Sequence, residues 1–308
     1  MAETLSVSAP ATSANQGPGF DALAIALDLS NTVRITRRPG PLEVVVVGEG
    51  EGELPLDADN LVCRALSTGL DDLDGLRIEC RNRIPLGRGL GSSAAAACAG
   101  LVAANALGLR RWSPDDLLAH AERIEGHADN AAACLFGGVV AVAPGVSALQ
   151  LGVPEGLAMV AVIPEARTST DAARRALPDT VPFRTAADSV ARGIALALAL
   201  AQGRLDDLPP VLEDELHEPH RGPLCPGLDA LRGMAGRDGC LGVTISGSGP
   251  TTLLWARAED AAGVAAAAED VLAAAGVSGR TRVCRPTPAG VRARWLGDEE
   301  HSLARAIG

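Results

Sequence analysis

The run Pro85-Leu-Gly-Arg-Gly-Leu-Gly-Ser-Ser-Ala94 constrains this chain more than any other stretch. Three glycines alternate, two serines follow, and an alanine-rich segment begins. The pattern predicts a glycine-rich loop running into the N-terminus of a helix. Such a junction offers unpaired backbone N–H groups and the positive end of the helix dipole, a setting that suits a phosphate. Glycine lets backbone approach an anion with no Cβ in the way. Ser92 and Ser93 add hydroxyls able to hold a phosphate oxygen or a magnesium ion. Two familiar phosphate patterns fit less well. The Walker pattern needs a Lys after its last Gly, and none is present. A dinucleotide pattern matches at Gly89, Gly91 and Ala94, but it should follow a buried strand. The preceding Arg81-Asn-Arg-Ile-Pro85 carries two charges and a proline, which suits a central strand poorly. The plain alternative is a glycine turn capping an ordinary helix.

The 308 residues suffice for one large domain or two smaller ones. Hydrophobic residues make up 47% of the chain but aromatics only 2%, so Ala, Val, Leu and Ile must build the core. A net charge of −11 argues against a nucleic-acid surface. It does not argue against ATP, whose binding is decided by local loops and magnesium. The seven cysteines (63, 80, 98, 134, 225, 240, 284) form no Cys-x-x-Cys pair and no zinc spacing, and read as free, mostly buried thiols of a reducing cytosol. No signal peptide is evident, and the longest apolar stretch, Ile194 to Ala201, is too short to span a bilayer. The expectation is a soluble cytoplasmic protein, bound to neither nucleic acid nor membrane.

Strands are predicted at Val44–Val47, Leu76–Cys80, Val139–Ala143, Ala158–Ile163, Leu241–Ile245 and Thr251–Trp255, with two more near Arg282 and Val291. Helices are predicted at Ser92–Leu107, ending at Gly108, and from a Ser113 cap to about Glu125. Two more are predicted at Ala186–Gln202 and Glu259–Ala275. Pro and Gly cluster between Pro144 and Glu155, which suggests a boundary between domains 1–154 and 155–308. The mixture is α+β in character.

Four further stretches carry chemistry. Pro10-Ala-Thr-Ser-Ala-Asn15-Gln-Gly-Pro-Gly-Phe-Asp21 is either a surface turn or a tight loop presenting Asn15 and Asp21 to a polar ligand. Glu122-Arg-Ile-Glu125-Gly-His127-Ala-Asp129-Asn130 is either a solvated helix end or a polar cluster able to hold magnesium, take a proton or grip an ammonium. Arg192, in an apolar helix, and Arg221, in His217-Glu-Pro-His-Arg221, are either snorkelling side chains or anchors for a substrate carboxylate. Ser246-Gly-Ser-Gly-Pro250 is a second glycine-serine turn, and two such loops suggest two backbone walls around one ligand.

In this order the motifs resemble the GHMP kinase superfamily and, within it, the homoserine kinase family. The segments Ser169 to Pro178 and Leu216 to Arg221 share the likeness, which spans roughly residues 5 to 295. Gln16 and Ala128 depart from the family's usual apolar residue and Pro. The resemblance implies an N-terminal ribosomal-protein-S5-like domain, a C-terminal ferredoxin-like domain and an active site between them. It implies transfer of the ATP γ-phosphoryl to the hydroxyl of L-homoserine in threonine biosynthesis, with Mg2+. The loop Pro85, Gly87, Arg88, Gly89, Leu90, Gly91, Ser92, Ser93 and Ala94 would wrap the ATP phosphates, and Asn60 and Val62 would line the adenine pocket. Ser92 and Glu125 would hold the metal, with Glu122 the alternative. Arg192 and Arg221 would pair with the homoserine carboxylate, Asp21 with its ammonium, and Asn15, His127, Asp129 and Asn130 with its hydroxyl. Asp129 or the phosphate itself would take the proton. A homodimer would suit the family. Competing readings are another GHMP kinase for mevalonate or a sugar, a ligand sensor on the same fold, and, distantly, a dehydrogenase.

Overall fold

Two long strands, β1 (Thr4–Asn15) and β2 (Gly19–Arg37), pair antiparallel and form the spine of the first sheet. The computed structural model describes residues 3–108 and 110–296. Residues 10–15, expected in a loop, complete β1, and only Gln16–Pro18 turn. Ala, Ser and Thr dominate there, so the stretch lacks the Val and Ile that mark a strand in sequence. Its small side chains are nonetheless buried, because helices pack directly on them.

The first sheet runs β11-β1-β2-β4-β3, where β3 is Glu43–Gly48, β4 Leu76–Asn82 and β11 Arg292–Leu296. The start of β2 also pairs with β5 (Val139–Ala143), which pairs in turn with β6 (Val146–Gly152). β6 occupies the Pro- and Gly-flanked stretch read as a boundary. Among the described residues the only parallel pairing in this sheet is β3 with β4. The glycine loop thus follows β4 of a largely antiparallel sheet, and the next strand, β5, pairs antiparallel with β2 and β6 instead of lying parallel beside β4, so the βαβ unit of a dinucleotide site is not built around this loop.

Helices α1 (Leu61–Leu66), α2 (Ser92–Leu107), α3 (Pro114–Glu125) and α4 (Asp129–Phe136) lie over this sheet, α2 and α4 against its strands and α1 and α3 against those two helices. The α2 helix is buried almost all round, which its alanines permit. A Cβ on Gly100 would stand 2.5 Å from the Val62 carbonyl oxygen, so the α1–α2 approach depends on that glycine. α3 starts with a capping box between Ser113 and Asp116.

Between Gly152 and Leu157 the chain passes to a second, antiparallel sheet of order β10-β7-β9-β8. Its strands are β7 (Leu157–Pro164), β8 (Cys240–Ile245), β9 (Thr252–Arg257) and β10 (Gly279–Cys284). The first crossover holds α5 (Thr170–Arg175), α6 (Phe183–Ala201), α7 (Leu208–Val211), α8 (Glu218–Arg221) and α9 (Leu228–Arg232). The second holds α10 (Ala261–Ala274). Order and connections are those of a ferredoxin-like β-α-β-β-α-β unit.

β7 is buried on both faces. Met159, Ala161 and Ile163 join the core of the first sheet, while Ala158, Val160 and Val162 join a smaller core with α9 and α10. The large core therefore runs through both halves of the chain, and β11 brings the chain back beside β1. Val190, Ile194 and Leu198 of α6 are exposed, as are Val146 and Leu149 on the neighbouring β6. The seven cysteines are free and buried. Among the described residues no helix is long and apolar enough to cross a membrane.

Candidate active site

A cleft forms where the glycine loop, the turn after β1, the start of α4, α5, α8 and the turn after β8 converge. In the glycine loop Gly87, Gly89 and Gly91 all have positive φ (62°, 71° and 69°). Gly91 ends the loop as the left-handed N-cap of α2, and no side chain caps that helix. The first-turn N–H groups of Ser92, Ser93 and Ala94 are thus left for an anion at the positive end of the dipole. A Cβ on Gly91 would fall 1.9 Å from Thr12 Oγ1, and one on Gly89 would fall 2.1 Å from the Ser246 carbonyl oxygen. Only glycine permits this packing.

Neighbours in the second half of the chain fix the loop. Arg88 donates Nε to Pro164 O (2.9 Å) and Nη2 to Glu165 O (2.9 Å), so it clamps the loop to the end of β7. The Thr168 N–H donates to Gly87 O at 3.0 Å. Ser246 Oγ donates to Gly89 O at 2.6 Å.

Beside the loop, Ser93 Oγ donates to Glu125 Oε1 at 2.6 Å. Burial raises the Glu125 pKa above the ordinary value, and the Ser93 bond opposes it. Glu122, one turn back on α3, is exposed and lies outside the cleft lining. Next to Glu125, His127 Nδ1 and Asp129 Oδ1 lie 3.0 Å apart. That bond holds the imidazole pKa above 6.5 against the effect of burial. Asp129 Oδ1 also accepts from the Asn130 N–H (2.6 Å), and Asn130 Oδ1 accepts from Thr12 Oγ1 (2.7 Å). The polar run 125–130 is therefore a built cluster at the junction of α3 and α4.

The opposite wall carries arginines. Arg174 of α5 forms a two-pronged pair with Asp21, Nη1 to Oδ2 and Nη2 to Oδ1, both 3.0 Å. Arg221 is only 2% exposed. Its Nη1 donates to Gly247 O at 3.2 Å, and its guanidinium lies 5.0 Å from the Phe20 ring centroid. Burial lowers its pKa below the ordinary guanidinium range. Asn15 Nδ2 donates to the same Gly247 oxygen at 2.6 Å, while its Oδ1 accepts from the Asp21 N–H at 3.0 Å. Asn15, Gln16 and Asp21 have φ of 73°, 51° and 52°, so this turn is held in the left-handed region by its surroundings.

Three expected residues lie elsewhere. Asn60 and Val62 are outside the cleft lining. The Asn60 side chain accepts from the Val62 N–H and donates to Pro55 O, which commits it to capping α1. Arg192 projects from α6 toward Glu213 and Glu215, 3.5 Å from each, and does not line the cleft. Arg174 stands beside Arg221 where Arg192 was expected. Nothing in the local sequence separates Arg174 from Arg175; the short Ser169-capped helix alone points one of them inward.

Two family models match the chain: the GHMP kinases N terminal domain over residues 59–138 and the GHMP kinases C terminal domain over 196–274. Fold and site thus define a kinase of the GHMP class. The chain is 42% identical over 270 residues to the homoserine kinase of Streptomyces coelicolor, covering 84% of this chain and 87% of that one. It is 39% identical over 258 residues to the homoserine kinase of Moorella thermoacetica, covering 82% and 87%. The crystal structure of homoserine kinase from Cytophaga hutchinsonii superposes with a TM-score of 0.85 at 30% identity, over 94% of this chain and 97% of that one. Mevalonate kinase, at 13% identity and a TM-score of 0.64, shares the fold. The chain belongs to the homoserine kinase family.

Proposed function

We propose that this cleft transfers the γ-phosphoryl group of ATP to the side-chain hydroxyl of L-homoserine, giving O-phospho-L-homoserine for threonine biosynthesis. The observation that carries the reading is the Arg174, Arg221 and Asp21 group on the wall of the glycine-loop cleft. Two guanidinium groups and one carboxylate suit an amino-acid carboxylate and ammonium. Arg174 and Asp21 are each 40% exposed, and an ion pair of that kind contributes about 0–1 kcal/mol. A zwitterion can therefore replace each partner with one of its own charges.

Loop 85–94 holds the ATP phosphates through backbone N–H groups and the α2 dipole, anchored by Arg88 and Ser246. Among the described residues no three acidic, His or Cys side chains gather as a metal site. One carboxylate with neighbouring hydroxyls beside a phosphate cradle nonetheless fits magnesium, which keeps waters and phosphate oxygens as its other ligands. Glu125 and Ser93, with Ser92 adjacent, would hold Mg2+, which would supply positive charge beside the phosphates.

The remaining residues position the hydroxyl. Asp129 is 4% exposed and its Oδ1 is occupied by His127 and Asn130. Its Oδ2, which no hydrogen bond uses among the described residues, is the acceptor offered to the hydroxyl proton. Phosphoryl transfer through a loose transition state depends mainly on alignment and charge, so fixed neighbours count for more than a strong base.

The assembly we propose is a homodimer, supported by the uncharged apolar face that α6 and β6 share. Seven unpaired thiols suit a reducing cytoplasm. The test is ADP release from Mg–ATP with L-homoserine, L-serine, L-threonine, mevalonate, galactose or no acceptor. A homoserine-specific rate is expected; equal rates with mevalonate or galactose would remove the amino-acid assignment.

A further inference from the structure

Glu218 is 2% exposed and lies three residues before Arg221 on α8. Its two oxygens serve different elements: Oε1 accepts from the Ile245 N–H at 2.6 Å, and Oε2 accepts from Arg232 Nη2 at 3.0 Å. Ile245 closes β8 and leads directly into the turn whose Gly247 oxygen receives both Arg221 and Asn15. Glu218 and Arg221 therefore grip the same turn from one turn of helix. The α8 backbone is held as well: Asp214 Oδ2 accepts from the N–H groups of His217 and Glu218, both at 2.8 Å. His217 Nε2 lies 2.9 Å from Gly17 O, in the turn between β1 and β2.

A buried carboxylate is an expensive way to hold a loop. Burial pushes the Glu218 pKa up to about 7 despite the Ile245 and Arg232 bonds that favour its charged form. An apolar residue of similar size would ordinarily serve stability as well or better. The geometry explains why a carboxylate stands there: it alone can accept at once from a strand-end N–H and from a guanidinium on α9.

We propose that Glu218 is a positioning residue for homoserine, setting the Arg221 guanidinium by locking α8 to the Ile245–Gly249 turn. Glu218 does not line the cleft itself. The phosphate side of the same turn has its own anchors: Ser246 N–H donates to Thr251 O, and Ser246 Oγ donates to Gly89 O and lies 2.8 Å from Ser13 Oγ. Loss of Glu218 therefore falls on the homoserine side of the cleft. The proposal rests on the reading that Arg221 holds the homoserine carboxylate.

The experiment is steady-state kinetics on Glu218→Met, Glu218→Gln and Arg232→Met, with homoserine and ATP varied separately. Met keeps the bulk and removes both acceptors, and should raise the homoserine KM at least about tenfold. Gln keeps an acceptor for Ile245 but faces Arg232 with a donor, and should raise it about two- to fivefold. Arg232 is half-exposed, so Arg232→Met breaks one arm without disturbing the core, and should match Gln. ATP KM should stay within about twofold in all three. Homoserine KM unchanged in Gln and Arg232→Met, or both KM values rising together, overturns the proposal. If Met fails to fold, the other two variants decide it. Parent protein inactive on homoserine would sink the underlying reading instead, so the two failures are distinguishable.

Discussion

Arg174 and Asp21 neutralise each other across the cleft at 3.0 Å, with Arg221 behind them on a buried turn. The two arginines have different standing. Arg174 is held by an exposed pair, whereas Arg221 is buried against Phe20 and two backbone carbonyls. Truncating Arg174 should leave stability nearly unchanged; truncating Arg221 should also leave polar groups unpaired, at roughly 1–3 kcal/mol. Arg174→Ala and Arg221→Ala should each raise homoserine KM by more than about tenfold with ATP KM changed less than about threefold. Separate titrations of the two substrates check this, and an equal rise in both would remove the carboxylate assignment. Arg221 was legible in sequence because it sits in a chemically dense run, His217-Glu-Pro-His-Arg221. Arg174 was not singled out because its neighbour Arg175 is chemically identical, and only the three-dimensional path of α5 separates them. Arg192 misled for the converse reason: a lone charge on an apolar helix looks purposeful, but it reaches Glu213 and Glu215 over the surface.

The junction of glycine loop and α2 is the element to which we assign phosphate binding, and Gly91 is its least replaceable position. Its φ of 69° and the 1.9 Å approach of a Cβ to Thr12 Oγ1 leave an alanine neither conformation nor room. Gly91→Ala should cost about 1–3 kcal/mol of stability, and kcat should drop at least about a hundredfold as the loop shifts off the helix axis. Urea melts and kinetics on one preparation check both; near-parental kcat would mean that loop geometry does not set the rate. This element was readable because several signals agreed: glycines at alternating positions, serines at the helix start, then alanines to Leu107. The Ser113 capping box and β5 were readable for the same reason. The β1–β2 spine was not: no strand was expected in either span, and the burial of β1 comes from the helices laid over small residues rather than from its own hydrophobicity. β6 escaped because Gly and Pro flank it and its face stays exposed, so neither alternation nor burial marks it.

At the scale of the molecule, the two sheets share one core. Met159, Ala161, Ile163, Leu253 and Trp255 of the second sheet pack with Leu5, Ile25 and Ile78 of the first, and β11 completes the first sheet's edge. A cut near residue 154 would remove β11 and strip apolar partners from the first sheet. The fragment 1–154 should accordingly lack cooperative unfolding and bind a hydrophobic dye, whereas the whole chain should unfold in a single transition. A sharp urea transition from the isolated fragment would show that the halves are independent.

The cleft is lined by residues drawn from Ala14 through Ser248. During synthesis, then, the phosphate loop leaves the ribosome long before the turn that braces it and the arginine that faces it. A growing chain carries the proposed phosphate cradle without the wall that would complete the cleft. An unfinished enzyme of this design would be poorly equipped to squander ATP.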